Sequence, residues 1–196
     1  LYYDNSKKLE TYTSGITVQG HIKANQDDSQ LILGAGNDLK LWHDGSNSII
    51  SDEGTGNLQI RTDGANIQLN KGTTENMLVA RTDGAVELYH DNVKHFETIS
   101  GGIRVQGTEG GNGSIELYAD EGDDNADKRR LLIDTNGDFY ISNYADGAWE
   151  TDIMVYQSEV RLYYDNSIKL QTASGGISVT GGINLTTNLS LLDNGI

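Results

Sequence analysis

Three stretches of this chain carry one pattern: "LYYDNSKKLETYTSGITVQG" from Leu1, "LYHDNVKHFETISGGIRVQG" from Leu88 and "LYYDNSIKLQTASGGISVTG" from Leu162. The shared skeleton is Leu-Tyr-x-Asp-Asn, then Thr, then Gly-Ile-x-Val-x-Gly. A chain built this way reuses one supersecondary unit, which buries its apolar face against neighbours. The copies lie 87 and 74 residues apart, so the period is not fixed. "LWHDGSNSII" at 41–50 is a decayed relative, and "RTDGA" occurs at 61–65 and again at 81–85. Copies two and three are preceded by Val86-Glu87 and Val160-Arg161, a lead-in the first copy lacks. The expectation is a piece of a longer repetitive chain.

Between the turn residues, apolar and polar side chains alternate. "DLKLWHDGSNSII" sets Leu39, Leu41 and His43 on one face and Lys40 and Trp42 on the other, with Asp44-Gly45 as a hairpin signal. The two-residue period recurs in "NLQIRTDG", "NIQLNKG", "AVELYHDN", "SIELYAD", "DFYISN" and "EVRLYYDN", each ending in Asp, Asn or Gly. Only "DDNADKRRLLI" offers a turn of helix. The chain has 24 Gly and no Pro, where average usage gives roughly 10. Gly supplies positive φ, and the absence of Pro leaves every backbone N–H free for a ladder.

The expected fold is therefore all-β, a meander of short strands in repeat units 1–87 (with the hairpin 39–50), 88–161 and 162–196. Leu1, Leu41, Leu88, Leu117, Leu162, Ile16, Ile103 and Ile177 are the expected core of the repeats. Asp4, Asp44, Asp91 and Asp165 are their expected turn residues. The face holding Val160, Leu162 and Tyr164 is the expected core face, and Trp42, Tyr89, Tyr118 and Tyr163 point the other way. With 36% hydrophobic residues the apolar area is thin for one chain. Oligomerisation is the usual remedy.

The net charge of −15 disfavours DNA, RNA and anionic lipid as partners and favours solubility. No apolar run reaches membrane-spanning length, so no membrane insertion is expected. The chain has no Cys, hence no thiolate metal site. Most Asp sit where turns need them, which argues against the carboxylate pair of a glycosidase. Asp134, Asn136 and Asp138 in "DTNGD" have alternate oxygen ligands but no complete calcium loop. The acidic run 120–127 reads as a solvated loop beside Lys128, Arg129 and Arg130. His21, His43, His90 and His95 lack zinc-ligand spacing. Trp42 and Trp149 are candidate sugar platforms, with packing the favoured role. The expectation is no enzyme, no catalytic residue, no metal and no cofactor.

The phrases "LYYDNSKKLET…GITVQG", "LKLWHDGSNSII" and "YADEGDDNADKRRLLIDTNGDFYISNYADGAWET" resemble repeats of tail-fibre and related structural proteins of tailed bacteriophages, marine and cyanobacterial ones especially. The resemblance covers nearly the whole chain and is weakest over 65–80. It implies an elongated homotrimeric β-helix or β-prism shaft on the virion, joined to other fibre or tail proteins. Receptor binding, with host cell-surface glycan as the candidate ligand, is implied at a distal site. Two alternatives stand beside the structural reading. One is a carbohydrate-binding module acting through loops 107–114 or 119–130, and the other is a polysaccharide-degrading tailspike.

Overall fold

A computed structural model describes residues 1–184. The end of the third repeat, 185–196, lies outside the described residues. The chain is all-β, 52% strand and 3% helix, in several antiparallel sheets of which none closes on itself. It divides into two compact units after Arg61, so the sequence boundary at 87/88 falls inside the second unit.

The first unit holds three small sheets. Tyr2–Tyr3 (β1) pairs with Ser6–Lys7 (β2), and Leu9–Tyr12 (β3) with Gly15–Val18 (β4). Leu31–Leu33 (β5), Leu39–His43 (β6) and Ser48–Asp52 (β7) form the third, with β6 in the middle. The second unit contains two meanders. One is Asn66–Lys71 (β8), Glu75–Arg81 (β9), Val86–His90 (β10), Val93–Ile99 (β11) and Gly102–Val105 (β12). The other is Gly113–Tyr118 (β13), Lys128–Ile133 (β14), Phe139–Asn143 (β15), Glu150–Tyr156 (β16), Glu159–Tyr164 (β17), Ser167–Ala173 (β18) and Gly176–Val179 (β19). Every strand pairs antiparallel with its sequence neighbour within its sheet. The expected strand in "NLQIRTDG" is absent: residues 57–62 form no ladder, and Leu58 and Ile60 are exposed. The helical turn shrinks to short 3-10 turns at Asp120–Gly122 and Asn125–Asp127, because alternation turns "KRRLLI" into β14.

The repeat is legible as one three-stranded device. In each copy Asp-Asn forms a two-residue hairpin loop with both residues at positive φ: Asp4 50° and Asn5 53°, Asp91 49° and Asn92 62°, Asp165 50° and Asn166 52°. Such loops match the twist of the flanking strands, and Asp and Asn tolerate the left-handed region best among non-glycine residues. Backbone conformation fixes Asp at these slots, where a capping carboxylate was expected. Asn92 does the bonding, accepting from the Asn76 N–H and donating Nδ2 to the Thr74 carbonyl, each at 2.7 Å. Asp44 alone of the four caps as expected, accepting the Ser46 and Asn47 N–H groups.

In copies two and three a bulge flanks the hairpin, where the register shifts between Leu88 and Tyr89 and between Leu162 and Tyr163. Tyr164, at the hairpin end of β17, is 74% exposed. One backbone bond then recurs in all three copies: Gln19 N–H to Lys8 O, Gln106 N–H to His95 O and Thr180 N–H to Lys169 O, at 2.9–3.0 Å. The invariant Thr also finds its reason. Thr98 Oγ1 accepts the Val86 N–H at 3.0 Å, and Thr172 Oγ1 accepts the Val160 N–H at 2.9 Å.

Within a single chain, burial is sparse. Among the described residues Val79, 1% exposed, is the one buried apolar side chain longer than glycine. None of the eight expected core residues is buried within the chain. Leu41 is half-buried, while Leu1, Leu88, Leu117, Leu162, Ile16, Ile103 and Ile177 are exposed. Register explains this. Ile67, Leu69, Leu78, Ala80, Val86, Leu88, Phe96, Ile103 and Val105 share one face of the five-stranded sheet. A row from Ile115 through Leu131, Ile141, Ile153, Leu162 and Leu170 to Val179 lies along one face of the seven-stranded sheet. Val105 and Ile115 line one apolar hollow, so the two stripes meet. Among the described residues of the second unit, no further layer covers them.

Replacing Thr172 with Val keeps the shape and removes the acceptor for Val160. A stability loss of about 0.5–1.5 kcal/mol is expected, with faster amide exchange at Val160. Unchanged exchange there would mean that the repeat Thr has another purpose.

Candidate functional site

The faces opposite the apolar stripes carry the polar chemistry. On the five-stranded sheet the strand register lines up alternating charges across β9–β12. Glu87 accepts from Arg81 Nε at 2.9 Å, Tyr89 Oη at 2.9 Å and Lys94 Nζ at 3.2 Å. Glu97 accepts from Lys94 Nζ and, at 2.7 Å, from Arg104 Nη1. Both carboxylates are buried beneath these longer side chains. The hydrogen bond from Arg81 holds the Glu87 carboxyl below its ordinary range against the opposing effect of burial, and Lys94 does the same for Glu97. The first copy repeats one link, Lys7 to Glu10 at 2.6 Å. The carboxylates here are fully engaged, so the array is a brace between strands. Its sequence signal was Lys and Glu three apart in copies one and two, a spacing that a reading of charge as solvation passes over.

The seven-stranded sheet differs. Alternation puts Lys128 and Arg130 on the polar face of β14 and Arg129 on the other. Pairing then sets Lys128 beside Tyr118, and Arg130 between Glu116 and Ser142. Lys128 Nζ lies 5.8 Å from the Tyr118 ring centre and 5.6 Å from that of Tyr144. The Arg130 guanidinium sits 4.3 Å over Trp149, whose ring meets Tyr144 edge-on at 5.1 Å. Two open clefts share Trp149. One, of about 240 Å³, is lined by Asn112, Arg130, Leu132, Asp134, Tyr140, Ser142, Trp149 and Thr151. The other, of about 220 Å³, is framed by Tyr118, Lys128, Tyr144 and Trp149. Cations stacked on aromatic rings are held in place with their donors still available.

The sequence-level candidates fall out as follows. Asp134 is committed to its turn: Oδ1 accepts the Asn136 and Asp138 N–H groups at 2.9 and 3.0 Å, and Oδ2 accepts Tyr140 Oη at 3.2 Å. Those bonds hold its carboxyl low, while burial pushes that of Asp138 up. Asp123, Asp124 and Asp127 bring carboxylate oxygens within 4.8 Å of one another on an exposed loop. His43 faces Ser48, and His95 Nδ1 lies 3.0 Å from the Gln106 carbonyl. His90 meets His95 only as an edge-on ring pair at 6.4 Å. Trp42 sits half-buried opposite Ile49 in its hairpin. Trp149 and the end of loop 119–130 do meet, and Asn112 of loop 107–114 joins them. Comparison with family models, curated proteins and solved structures finds no match to this chain.

The depressed Glu87 and Glu97 carboxyls set a sign. Their stabilisation is complete above the unfolded value of about 4.3 and is lost as pH falls through the lower folded values. Thermal melts from pH 6 to pH 2 should show this decline, and Glu97→Gln should flatten it. An equal acid slope in the variant would remove Glu97 from the brace.

Proposed function

We propose that this chain is a structural β-repeat element of a bacteriophage tail fibre or comparable virion appendage, supporting host-receptor attachment. Its copies assemble as a homotrimer, with the apolar stripes turned inward and the polar faces outward. The observation that carries this reading is the apolar face running uncovered across both sheets of the second unit, in a chain with almost no core of its own. Burying it against identical faces supplies the missing core and removes surface that a stable monomer does not carry. Repeat units that share turn and closing bond suit a shaft whose length is set by their number. The number three rests on the resemblance of the repeats. Asp4, Asp91 and Asp165 adopt the positive φ of their hairpin loops, and Asp44 and Asp134 accept backbone N–H groups, which favours a mechanical over a hydrolytic reading. Other fibre or tail proteins are the neighbours this role implies.

Leu162 separates the assembled from the solitary chain. Leu162→Ala should cost about 2–5 kcal/mol per site if copies cover the face. On an open surface the change stays within about 0.5 kcal/mol. Negative-stain electron microscopy tests the role itself, with rods of uniform width as the expected result. Compact particles together with a silent Leu162→Ala would overturn it.

A further inference from the structure

The paired clefts around Trp149 form a binding site, and we propose that the ligand is a carboxylated sugar unit, a uronic acid within a cell-surface or extracellular polysaccharide. The inference needs only the polar face of the seven-stranded sheet, so it stands apart from the fibre role.

Three observations converge on it. The first is unspent positive charge. In a chain of 29 acidic and 14 basic residues, cations are expected to be paired. Yet among the described residues neither Lys128 nor Arg130 makes an ion pair or donates a side-chain hydrogen bond. The Arg130 Nε is buried without a partner. An unpaired buried donor is costly, and a site that binds an anion recovers that cost. Glu116, the cross-strand neighbour of Arg130, spends its Oε2 on Tyr118 Oη at 2.6 Å instead.

The second is the mixture of lining groups. Ser142 is 2% exposed, borders the larger cleft and makes no side-chain hydrogen bond among the described residues. Thr151 and Asn112 stand beside it, and Asp134 contributes a carboxylate with lone pairs already largely spent. An inorganic anion would accept from these hydroxyl and amide donors too, but it would leave the ring surface of Tyr118, Tyr144 and Trp149 unused. A polyol bearing one carboxylate uses both.

The third is the aromatic frame. Tyr118, Tyr144 and Trp149 edge the smaller cleft and present ring surface to the C–H face of a pyranose, with Lys128 among them. The net charge of −15 argues against a long run of phosphates or sulfates in the same place, because it repels a dense polyanion. One carboxylate per sugar, spaced along a chain, meets two local cations without confronting the whole field.

Trp42 is the other indole, so Trp42→Phe in the full chain leaves Trp149 as the reporter. Its fluorescence should change saturably with tetragalacturonate. The neutral analogue tetragalactose should bind at least tenfold more weakly, and sodium acetate at equal carboxylate concentration should leave the signal unchanged. Arg130→Gln and Lys128→Gln should each weaken tetragalacturonate binding about tenfold or more, the loss typical of a hydrogen bond to a charged group. Lys128 is the safer variant, since the buried, unpartnered nitrogen belongs to Arg130. Circular dichroism identical to the parent shows that it has kept its fold. Equal binding of the neutral sugar overturns the carboxylate assignment, an equal response to acetate overturns the sugar assignment, and no response to any probe overturns the site.

Discussion

An antiparallel meander has two faces, and the second unit of this chain makes one of them apolar with nothing among its described residues to cover it. Everything else follows from that imbalance. Hairpin-linked strands satisfy their backbone groups within each sheet, so secondary structure forms locally. Burial, the larger stabilising term in most domains, is left undone. A single buried valine cannot offset the conformational entropy of ordering more than a hundred residues. The polar faces compensate in part, with charge ladders and stacked cations bracing neighbouring strands, yet exposed ion pairs contribute little. On the proposed reading, the rest of the stability comes from contacts between chains.

The all-β architecture and the consecutive pairing were legible in the sequence, because strand period and turn chemistry are local. "LLIDTNGDFYI" reads as strand, turn and strand from its residues alone, and so it folds. The purpose of the repeat Thr was hidden, since Thr98 and Thr172 each bond to a strand twelve residues away. The Asp-Asn loops were read as turns for a different reason from the one that operates. The carboxylate of Asp91 matters less than its tolerance of positive φ, and Asn92 ties the neighbouring hairpin. "NLQIRTDG" alternates like a strand but finds no neighbour to pair with, and alternation alone cannot signal that. Exposure of Leu88 and Leu162 was likewise beyond reach, because pattern identifies the apolar face without saying which chain covers it.

The cleft at Trp149 was half visible. Trp149 stood out as an aromatic residue, and 119–130 stood out as an irregular loop. Their meeting required the register of four strands, which brings residues from 112 to 151 onto one surface. Division of labour between faces then gives the molecule its logic. Apolar residues recur with the repeat and, on the proposed reading, serve assembly, whereas Lys128, Arg130, Tyr144 and Trp149 belong to a stretch outside the repeated motif. Residues that depart from a repeat are free to take on recognition, since the shared scaffold does not depend on them.

The claim that this chain completes its core with other copies of itself is tested most directly by its solution mass. Light scattering coupled to size exclusion, run over a hundredfold dilution, should give about three times the 21.3 kDa of one chain. A stable monomer at every concentration, melting cooperatively at a temperature independent of dilution, would contradict it.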